Sequence, residues 1–394
     1  MNVLLISDLC GSETYKTIIP QKYRMGQQSQ KYLRLLCEGL AANGVEVMAI
    51  SIPPVNTENN RNRCVYLPSE NSHGITFNYI KITNIPIVRN LMTLLRLSKR
   101  LISDRFVGNS IIILDMLSVT TLTSTLIAKI IKKRNVLGIL TDMPLVYVGN
   151  ENNKITIQQR LNQWLCKIVP DAFLFLSEQM NQMVNTKNKP YVVIEGFSDN
   201  NMAERVNALD RKKHPEVIFY AGGLKKEYGL DMLVEGFINA NIPHCELHLC
   251  GDGSYLEELK TICKEHNNIK YLGVLDNEVI VEMEEQATLL VNPRYSNSQF
   301  VKYSFPSKNM EYLASGTPML GTKLPSLPTD YYEHIYFVNK ENVEGMTATL
   351  KDLMGKSEEE LFNKGKKAKL WVLSEKNNYE GTKKIVSLLK THFE

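Results

Sequence analysis

Residues 304–322 read SFPSKNMEYLASGTPMLGT, a helical pattern that runs directly into a short apolar strand. We expect the helix to occupy 305–315, because Ser304 is a favoured N-cap residue and Gly316 is a favoured helix stop. An apolar strand, TLLVNP at 288–293, comes before this helix. Since the helix lies between two strands, this stretch predicts a helix packed on a mainly parallel sheet.

The same alternation of apolar strands and amphipathic helices extends in both directions from this segment. VLLIS at 3–7 begins the pattern, and EVIFYAGG at 216–223 restarts it after a polar stretch without strand character. That alternation predicts two consecutive doubly wound α/β domains joined by a linker. The predicted divisions are an N-terminal domain at 1–197, the linker at 198–214, a C-terminal domain at 215–375 and a C-terminal helix at 376–394.

Composition agrees with two globular domains and argues against several classes of function. The chain has 394 residues, which is too long for one core, and its 43% apolar and 22% charged content is ordinary for a folded protein. The 46 basic against 42 acidic residues give too small an excess to indicate nucleic-acid binding. Seven cysteines without a CxxC pair indicate reduced thiols. With no signal-peptide pattern and no long apolar run, we expect a cytoplasmic protein.

Polar side chains share one side of the helix predicted at 305–315. At 3.6 residues per turn, Ser304, Ser307, Lys308 and Glu311 fall on one face. Hydroxyls and free N–H groups at a helix start suit a diphosphate, and a carboxylate one turn further on can accept the two hydroxyls of a ribose. The alternative is a polar face turned to solvent, but the strand that follows argues that the helix is packed between strands.

A glycine-rich turn follows the first strand of the second half. In AGGLKKEYG at 221–229, Gly222 and Gly223 allow a close approach of the backbone to a ligand, and Lys225 and Lys226 offer cations for phosphate. The segment matches neither the dinucleotide nor the P-loop motif. A turn with solvated lysines explains it equally well.

Two further strand-to-helix junctions carry candidate residues. CGDGSYLEELK at 250–260 places Gly253 after a strand, although Ser254 and Glu257 have the spacing of a purely structural capping box. LTDMP at 140–144 places Asp142 at the end of a strand, as a catalytic carboxylate or as a turn cap. No two aspartates are separated by a single residue, so the D-x-D arrangement for a metal-bound nucleotide is absent and no metal is expected.

The segment at 89–105, RNLMTLLRLSKRLISDR, combines leucines with five basic residues. A basic amphipathic helix of this kind can rest on an anionic membrane surface. The alternative is an ordinary surface helix with a solvated basic face.

Taken together, these segments resemble glycosyltransferase family 4, the retaining nucleotide-sugar enzymes of the GT-B fold. FYAGGLKKEYGLDMLVEGF, LHLCGDGSYLEELK, IKYLGVLDNEVIVEMEEQATLLVNP and SFPSKNMEYLASGTPML occur in that family's order, and the last is typical of surface-polysaccharide transferases. The resemblance covers about 215–325 well. It is weaker in the first half, at MGQQSQKYLRLLCEGLAANGVEV. It implies two Rossmann-like domains facing across a cleft, with the C-terminal helix crossing back to the N-terminal domain.

The resemblance also implies roles for individual residues. Glu311 corresponds to the second glutamate of the family's E-x7-E motif, which binds the donor ribose, and Ser304 and Ser307 would hold the diphosphate. Lys226, or alternatively Lys225, would be the phosphate-binding lysine. Gly26 matches the N-domain glycine loop, Val274 and Leu275 the segment beside the nucleobase, and Asp142 the polar position beside the transferring sugar.

Three positions depart from the family pattern. Tyr303 stands where the first glutamate of E-x7-E is expected, which removes a carboxylate from the donor-sugar site. Gly223 stands where an arginine is common, and Tyr228 where a lysine is common. These departures put the sugar specificity in question, and the activity to a lesser degree.

The function implied is transfer of a sugar, with retention and without a metal, from a UDP- or GDP-type donor to a glycan or polyprenyl-linked acceptor. Capsule, O-antigen or exopolysaccharide synthesis is the expected pathway. We expect the protein on the cytoplasmic side, with the 89–105 segment at the inner membrane surface. No cofactor beyond the donor and no nucleic-acid partner is expected. The alternatives are an epimerase or phosphorylase of the same fold, or a homologue that binds nucleotide or glycan without turnover.

Overall fold

The computed structural model describes residues 1–20, 28–103, 110–116, 118–143 and 155–394. The chain divides into two compact units, the first formed by Met1–Phe197 with Asn378–Glu394 and the second by Ser198–Asn377. Residues 198–214, expected to be a linker, are part of the second unit. There Lys212 donates hydrogen bonds to the carbonyls of Glu285 and Ala287, at 2.8 and 2.9 Å, and so fastens this segment to the unit.

The first unit is built on a sheet whose central strands are buried on both faces. Within the described residues the sheet has eight strands in the order β10-β9-β8-β7-β1-β2-β5-β4, and every pairing is parallel except β4 with β5. A separate antiparallel pair joins β3 and β6. The strands are β1 Asn2–Ser7, β2 Glu46–Ser51, β3 Cys64–Val65, β4 Glu70–Ser72, β5 Ile75–Tyr79, β6 Ile82–Thr83, β7 Ser110–Asp115, β8 Val136–Leu140, β9 Ala172–Phe175 and β10 Tyr191–Val193.

Amphipathic helices cover this sheet, and the last of them comes from the C-terminal end of the chain. Asn378–Phe393 packs against Gln28–Ala42, and its Ile385 and Leu389 are fully buried in the core of the first unit. The two helices approach closely at Gly39, where an added Cβ would lie 2.3 Å from the carbonyl oxygen of Asn378. The predicted return of the C-terminal helix is therefore confirmed. The other helices of the unit are Ser12–Ile18, Pro86–Ser103, Val119–Lys132, Ile157–Ile168 and Glu178–Val184.

The second unit, all of which is described, contains a six-stranded parallel sheet in the order β13-β12-β11-β14-β15-β16. The chain runs from β11 outward to β13, then returns to β14 and continues to the other edge. Ligands bind at such a reversal, beside the carboxyl ends of the two central strands β11 and β14. The strands are β11 Glu216–Ala221, β12 Cys245–Cys250, β13 Ile269–Tyr271, β14 Leu289–Asn292, β15 Met319–Gly321 and β16 Tyr336–Phe337. The helices are Leu230–Ala240, Leu256–Glu265, Asn277–Gln286, Lys308–Ser315, Val343–Met354 and Glu358–Glu375.

The helix predicted at 305–315 starts later than expected. It spans Lys308–Ser315, and the N-cap position is held by Ser307, whose side chain makes no capping hydrogen bond. The expectation that Ser304 caps this helix was wrong. A residue that precedes proline avoids the helical region, so Phe305 before Pro306 delays the start. The predicted stop is confirmed, because Gly316 ends the helix in the left-handed conformation with φ of +82°.

Candidate functional site

The glycine-rich turns after β11 and β12 are bonded to each other at the carboxyl edge of the sheet. The N–H of Gly222 donates to the Cys250 carbonyl at 2.8 Å, and the N–H of Leu224 donates to the Asp252 carbonyl at 2.9 Å. A Cβ at Gly253 would lie 2.2 Å from the Leu224 carbonyl oxygen. Glycine at 253 is therefore explained by the close packing of the two turns, whether or not it also contacts a ligand.

Lys308 points from the start of its helix into the turn after β11. Its Nζ lies 3.0 Å from the Tyr220 hydroxyl oxygen and 4.2 Å from the centre of the Tyr220 ring. A Cβ on Gly222 would come within 1.5 Å of that Nζ, so the glycine makes room for the ammonium group. The Tyr220 hydroxyl itself donates to the Gly223 carbonyl at 2.8 Å, which links the lysine to the turn.

Burial changes the protonation of this lysine. It lowers the pKa of Lys308 to about 7, and the positive charge of Arg294 lowers it further, against the opposing effect of Glu284 and Glu311. Burial also raises the pKa of Tyr220 well above its ordinary value. The site thus holds an amine that titrates near neutral pH beside a phenol that stays protonated.

Buried hydrogen bonds fix the helix Lys308–Ser315 against the two central strands. The backbone N–H of Ala221, at the end of β11, donates to the hydroxyl of buried Tyr312 at 3.0 Å. At the end of β14, the Asn292 amide donates to the Asn309 side-chain oxygen at 2.8 Å. These bonds set the positions from which Lys308 and Glu311 extend.

Glu311 lies close to the loop that was predicted to meet the nucleobase. Its Oε1 accepts a hydrogen bond of 2.7 Å from the Asn277 amide, and Asn277 is the first residue of the helix Asn277–Gln286. Val274 and Leu275 come just before that helix, and Val274 is 44% exposed. The structure therefore brings the predicted ribose carboxylate and the predicted nucleobase segment to one place.

The basic residues around the glycine turn differ from one another in their partners. Lys226 is exposed and forms an ion pair of 2.7 Å with Glu258, which raises the pKa of Lys226. The Nζ of Lys225 lies 5.7 Å from the centre of the Tyr228 ring, and the guanidinium carbon of Arg294 lies 4.9 Å from it. Sequence reasoning missed Arg294. Its position two residues after β14, at the same sheet edge, is the signal that would have found it.

The remaining predicted donor residues lie in the chain before the helix. Tyr303 is partly exposed and follows the short 3₁₀ turn Gln299–Lys302. The carbonyl of Ser304 accepts a hydrogen bond of 3.0 Å from the Ser326 hydroxyl, and Ser307 is exposed at the helix start. Ser304 lies outside the helix, so the predicted common face is reduced to Ser307, Lys308 and Glu311.

Two predicted residues belong to the first unit. Asp142 is exposed and lies two residues beyond the end of β8. Gly26 lies outside the described residues. Over the described ranges of the chain, no group of three or more His, Cys, Asp or Glu side chains is arranged to hold a metal ion.

This chain is similar to known proteins in part of its sequence and in its fold. Residues 201–371 match the family described as Glycosyl transferases group 1. No curated protein sequence matches the chain significantly. Among solved structures, sucrose-phosphate synthase from Thermosynechococcus elongatus is similar over 100% of this chain and 99% of its own, with 16% identity and a TM-score of 0.69.

Two other similar structures are those of a protein bound to UDP-glucose and of a galactosyltransferase. HepE of Anabaena in complex with UDP-glucose has 13% identity and a TM-score of 0.65, with 99% of each chain covered. The apo form of WaaB, a lipopolysaccharide outer core galactosyltransferase, has 13% identity and a TM-score of 0.59, again with 99% of each chain covered. The predicted GT-B class, with two Rossmann-like domains, is confirmed as the fold of this chain. The family match over 201–371 also supports a transferase.

Proposed function

We propose that this protein is a glycosyltransferase that moves a sugar from a nucleoside diphosphate sugar, of UDP or GDP type, to a glycan or polyprenyl-linked acceptor. The observation that carries the proposal is the arrangement at the β11–β14 reversal. There the ammonium of Lys308 lies against the glycine turn at Gly222, and Glu311 accepts a hydrogen bond from Asn277, two residues after the Val274–Leu275 loop. A cation for the diphosphate and a carboxylate for the ribose thus occupy one sheet edge.

The chemistry proposed for this arrangement is stabilisation of the leaving group. Cleavage of the sugar–phosphate bond builds negative charge on the diphosphate, and positive groups placed beforehand stabilise that charge as it develops. In this metal-independent site, lysine supplies the positive charge that a divalent cation supplies in other transferases. In this proposal transfer occurs with retention, and Asp142 is the residue assigned to the transferring sugar.

The pathway proposed is synthesis of a surface glycan, namely capsule, O-antigen or exopolysaccharide. The similarity to an enzyme of the lipopolysaccharide outer core supports this class of acceptor. An epimerase or phosphorylase of the same fold is the first alternative. The second is a homologue that binds nucleotide without turnover, and Tyr303 in place of the expected glutamate favours it.

We test the transferase with purified full-length protein and a set of UDP- and GDP-sugars, with and without a polyprenyl-linked glycan acceptor. Release of nucleoside diphosphate that depends on the acceptor supports a transferase, and interconversion of the donor sugar supports an epimerase. Binding of UDP or GDP without any cleavage supports the non-catalytic alternative. Glu311→Ala should lower activity, whereas Glu265→Ala, at an exposed glutamate on another helix, is the matched control.

The helix Pro86–Ser103 supports attachment to a membrane surface on the cytoplasmic side. Its outward stripe is apolar, with Val88, Leu91 and Leu95 exposed by 38, 56 and 55%. Basic residues flank the stripe and the helix has no acidic residue, a pattern that suits an anionic bilayer. The flanking basic residues are Arg89, Arg96, Lys99 and Arg100.

Two neighbouring helices also expose large apolar side chains. Val119–Lys132 packs against Pro86–Ser103 and exposes Ile130 and Ile131 near its end. Ile157–Ile168 packs against Val119–Lys132 and exposes Trp164 by 54%, and tryptophan favours the membrane–water boundary. Within the described residues, no helix is long and apolar enough to cross a bilayer.

Sedimentation with vesicles tests this attachment. We expect binding to phosphatidylglycerol vesicles and little to phosphatidylcholine vesicles, with a loss of about tenfold or more for the double variant Leu91→Ser/Leu95→Ser. Leu370→Ser, at a leucine of the second unit that is 65% exposed, is the matched control. Equal binding of the wild type and the double variant would refute the attachment.

A further inference from the structure

We infer that Lys308 and Arg294, both from the chain that follows β14, are the cations that bind the diphosphate of the donor, and that neither Lys226 nor Lys225 has this role. The inference rests on the proposed function and assigns residues to it. It departs from the sequence-based expectation, which placed the phosphate-binding lysine in the turn after β11.

The first argument is the environment of Lys308. Its ammonium group lies against the glycine turn with a hydrogen bond of 3.0 Å to Tyr220, while its side chain keeps partial exposure to solvent. A buried ammonium group costs free energy unless it is compensated. Gly222 leaves space for this ammonium at the position where the turn meets the sheet edge. A bound anion at that edge would place a full negative charge beside this ammonium, in addition to its hydrogen bond to Tyr220.

The second argument is the position of Arg294. Its guanidinium carbon lies 4.9 Å from the centre of the Tyr228 ring, and Tyr228 fills the space beside Gly223, where an added Cβ would lie 2.9 Å from the tyrosine ring. The arginine is close enough to Lys308 to lower the pKa of the lysine. Two cations that repel each other at a glycine turn are stabilised together by an anion with two negative phosphate groups.

The third argument is the state of the lysines in the turn itself. Lys226 is paired with Glu258 at 2.7 Å, so a diphosphate would have to compete with a carboxylate that is already in place. More than half of each side chain in this pair is accessible, so Lys226 extends into solvent, whereas the ammonium of Lys308 lies against the turn. The Nζ of Lys225 lies 5.7 Å from the centre of the Tyr228 ring, farther from that ring than Arg294.

Calorimetric binding of nucleoside diphosphates and nucleosides to the full-length protein tests this assignment. UDP and uridine are the probes, with GDP and guanosine as a second pair. We expect Lys308→Met and Arg294→Met each to weaken binding of the diphosphate by about 10- to 100-fold and to leave nucleoside binding within about twofold. Lys260→Met, at an exposed lysine paired with Glu257, is the matched control and should change neither.

The outcomes separate the inference from the proposed function. If Lys226→Met or Lys225→Met weakens diphosphate binding more than Lys308→Met does, the assignment is wrong while the transferase proposal stands. An equal loss for nucleoside and diphosphate also overturns the assignment. If the wild type binds no nucleoside diphosphate, the proposed function fails and the inference fails with it. Gly222→Ala displaces the Lys308 ammonium without removing it, so it should also weaken UDP binding, and unchanged binding would contradict the inference.

Discussion

The affinity of this protein for UDP should fall as the pH rises above neutrality, because the cation under the glycine turn loses its proton. Burial lowers the pKa of Lys308 to about 7 in the free protein. The charged groups that act on it are Arg294 from the chain after β14, Glu284 from the helix Asn277–Gln286 and Glu311 from its own helix. Tyr220 contacts the amine but stays protonated, since burial raises its pKa.

The size of the effect follows from the fraction of Lys308 that is protonated. If only the ammonium form binds the diphosphate, the affinity is divided by 1 + 10^(pH − 7), which is about 2 at pH 7.0 and about 33 at pH 8.5. We therefore expect a fall of about 16-fold between pH 7.0 and 8.5. The terminal phosphate, with a pKa of about 6, stays ionised in this range and adds little.

Titration calorimetry of UDP at several pH values measures this dependence, and buffers of different ionisation enthalpy report the proton taken up on binding. Lys308→Arg is the matched variant, because guanidinium stays charged throughout and its affinity should be nearly constant. A flat profile for the wild type would refute the reasoning. The same slope in Lys308→Arg would assign the titration to another group.

Three further predictions concern the same unit. Lys308→Met should raise the free energy of unfolding at pH 7 by about 2 kcal/mol while weakening UDP binding, because it removes a buried amine whose pKa is lowered. Since the unfolded chain binds that proton more tightly, the stability of the wild type should rise with pH between about 7 and 10.5. Thermal unfolding that shows a less stable variant would contradict this prediction. Glu311→Ala should weaken the binding of UDP and of uridine alike by about tenfold without changing the melting temperature of the protein. Weaker binding of UDP with unchanged binding of uridine would exclude a ribose contact. Gly365→Ala should lower the free energy of unfolding by about 2 kcal/mol or more, because its Cβ would lie 2.2 Å from the Gly316 carbonyl oxygen. Lys366→Ala, at an exposed neighbouring residue, is the control. Equal denaturant midpoints for Gly365→Ala and the wild type would refute the predicted clash.

The elements of the fold follow closely from the pattern of apolar residues. Strand β11 and the helix Leu230–Ala240 were both visible as periodic runs, because burial of one face or of both faces dictates that pattern. The start of the helix Lys308–Ser315 was misjudged because a capping serine was given more weight than the effect of Pro306 on the residue before it.

The candidate site was harder to predict, because its contacts join residues far apart in the chain. The Asn277–Glu311 hydrogen bond spans 34 residues and depends on the order of strands in the sheet. Lys308 was placed correctly on a face with Ser307 and Glu311. However, helical periodicity cannot tell that its ammonium group turns back onto Tyr220, a residue 88 positions earlier.

The return of the helix Asn378–Phe393 to the first unit has a consequence for the order of events during synthesis on the ribosome. The second unit is one continuous stretch, Ser198–Asn377, and is complete before that helix is made. The first unit lacks part of its core until Ile385 and Leu389 have left the exit tunnel. We therefore expect the later-synthesised unit to reach its native state first. The earlier unit keeps an open apolar groove along Gln28–Ala42 until the helix Asn378–Phe393 has been made.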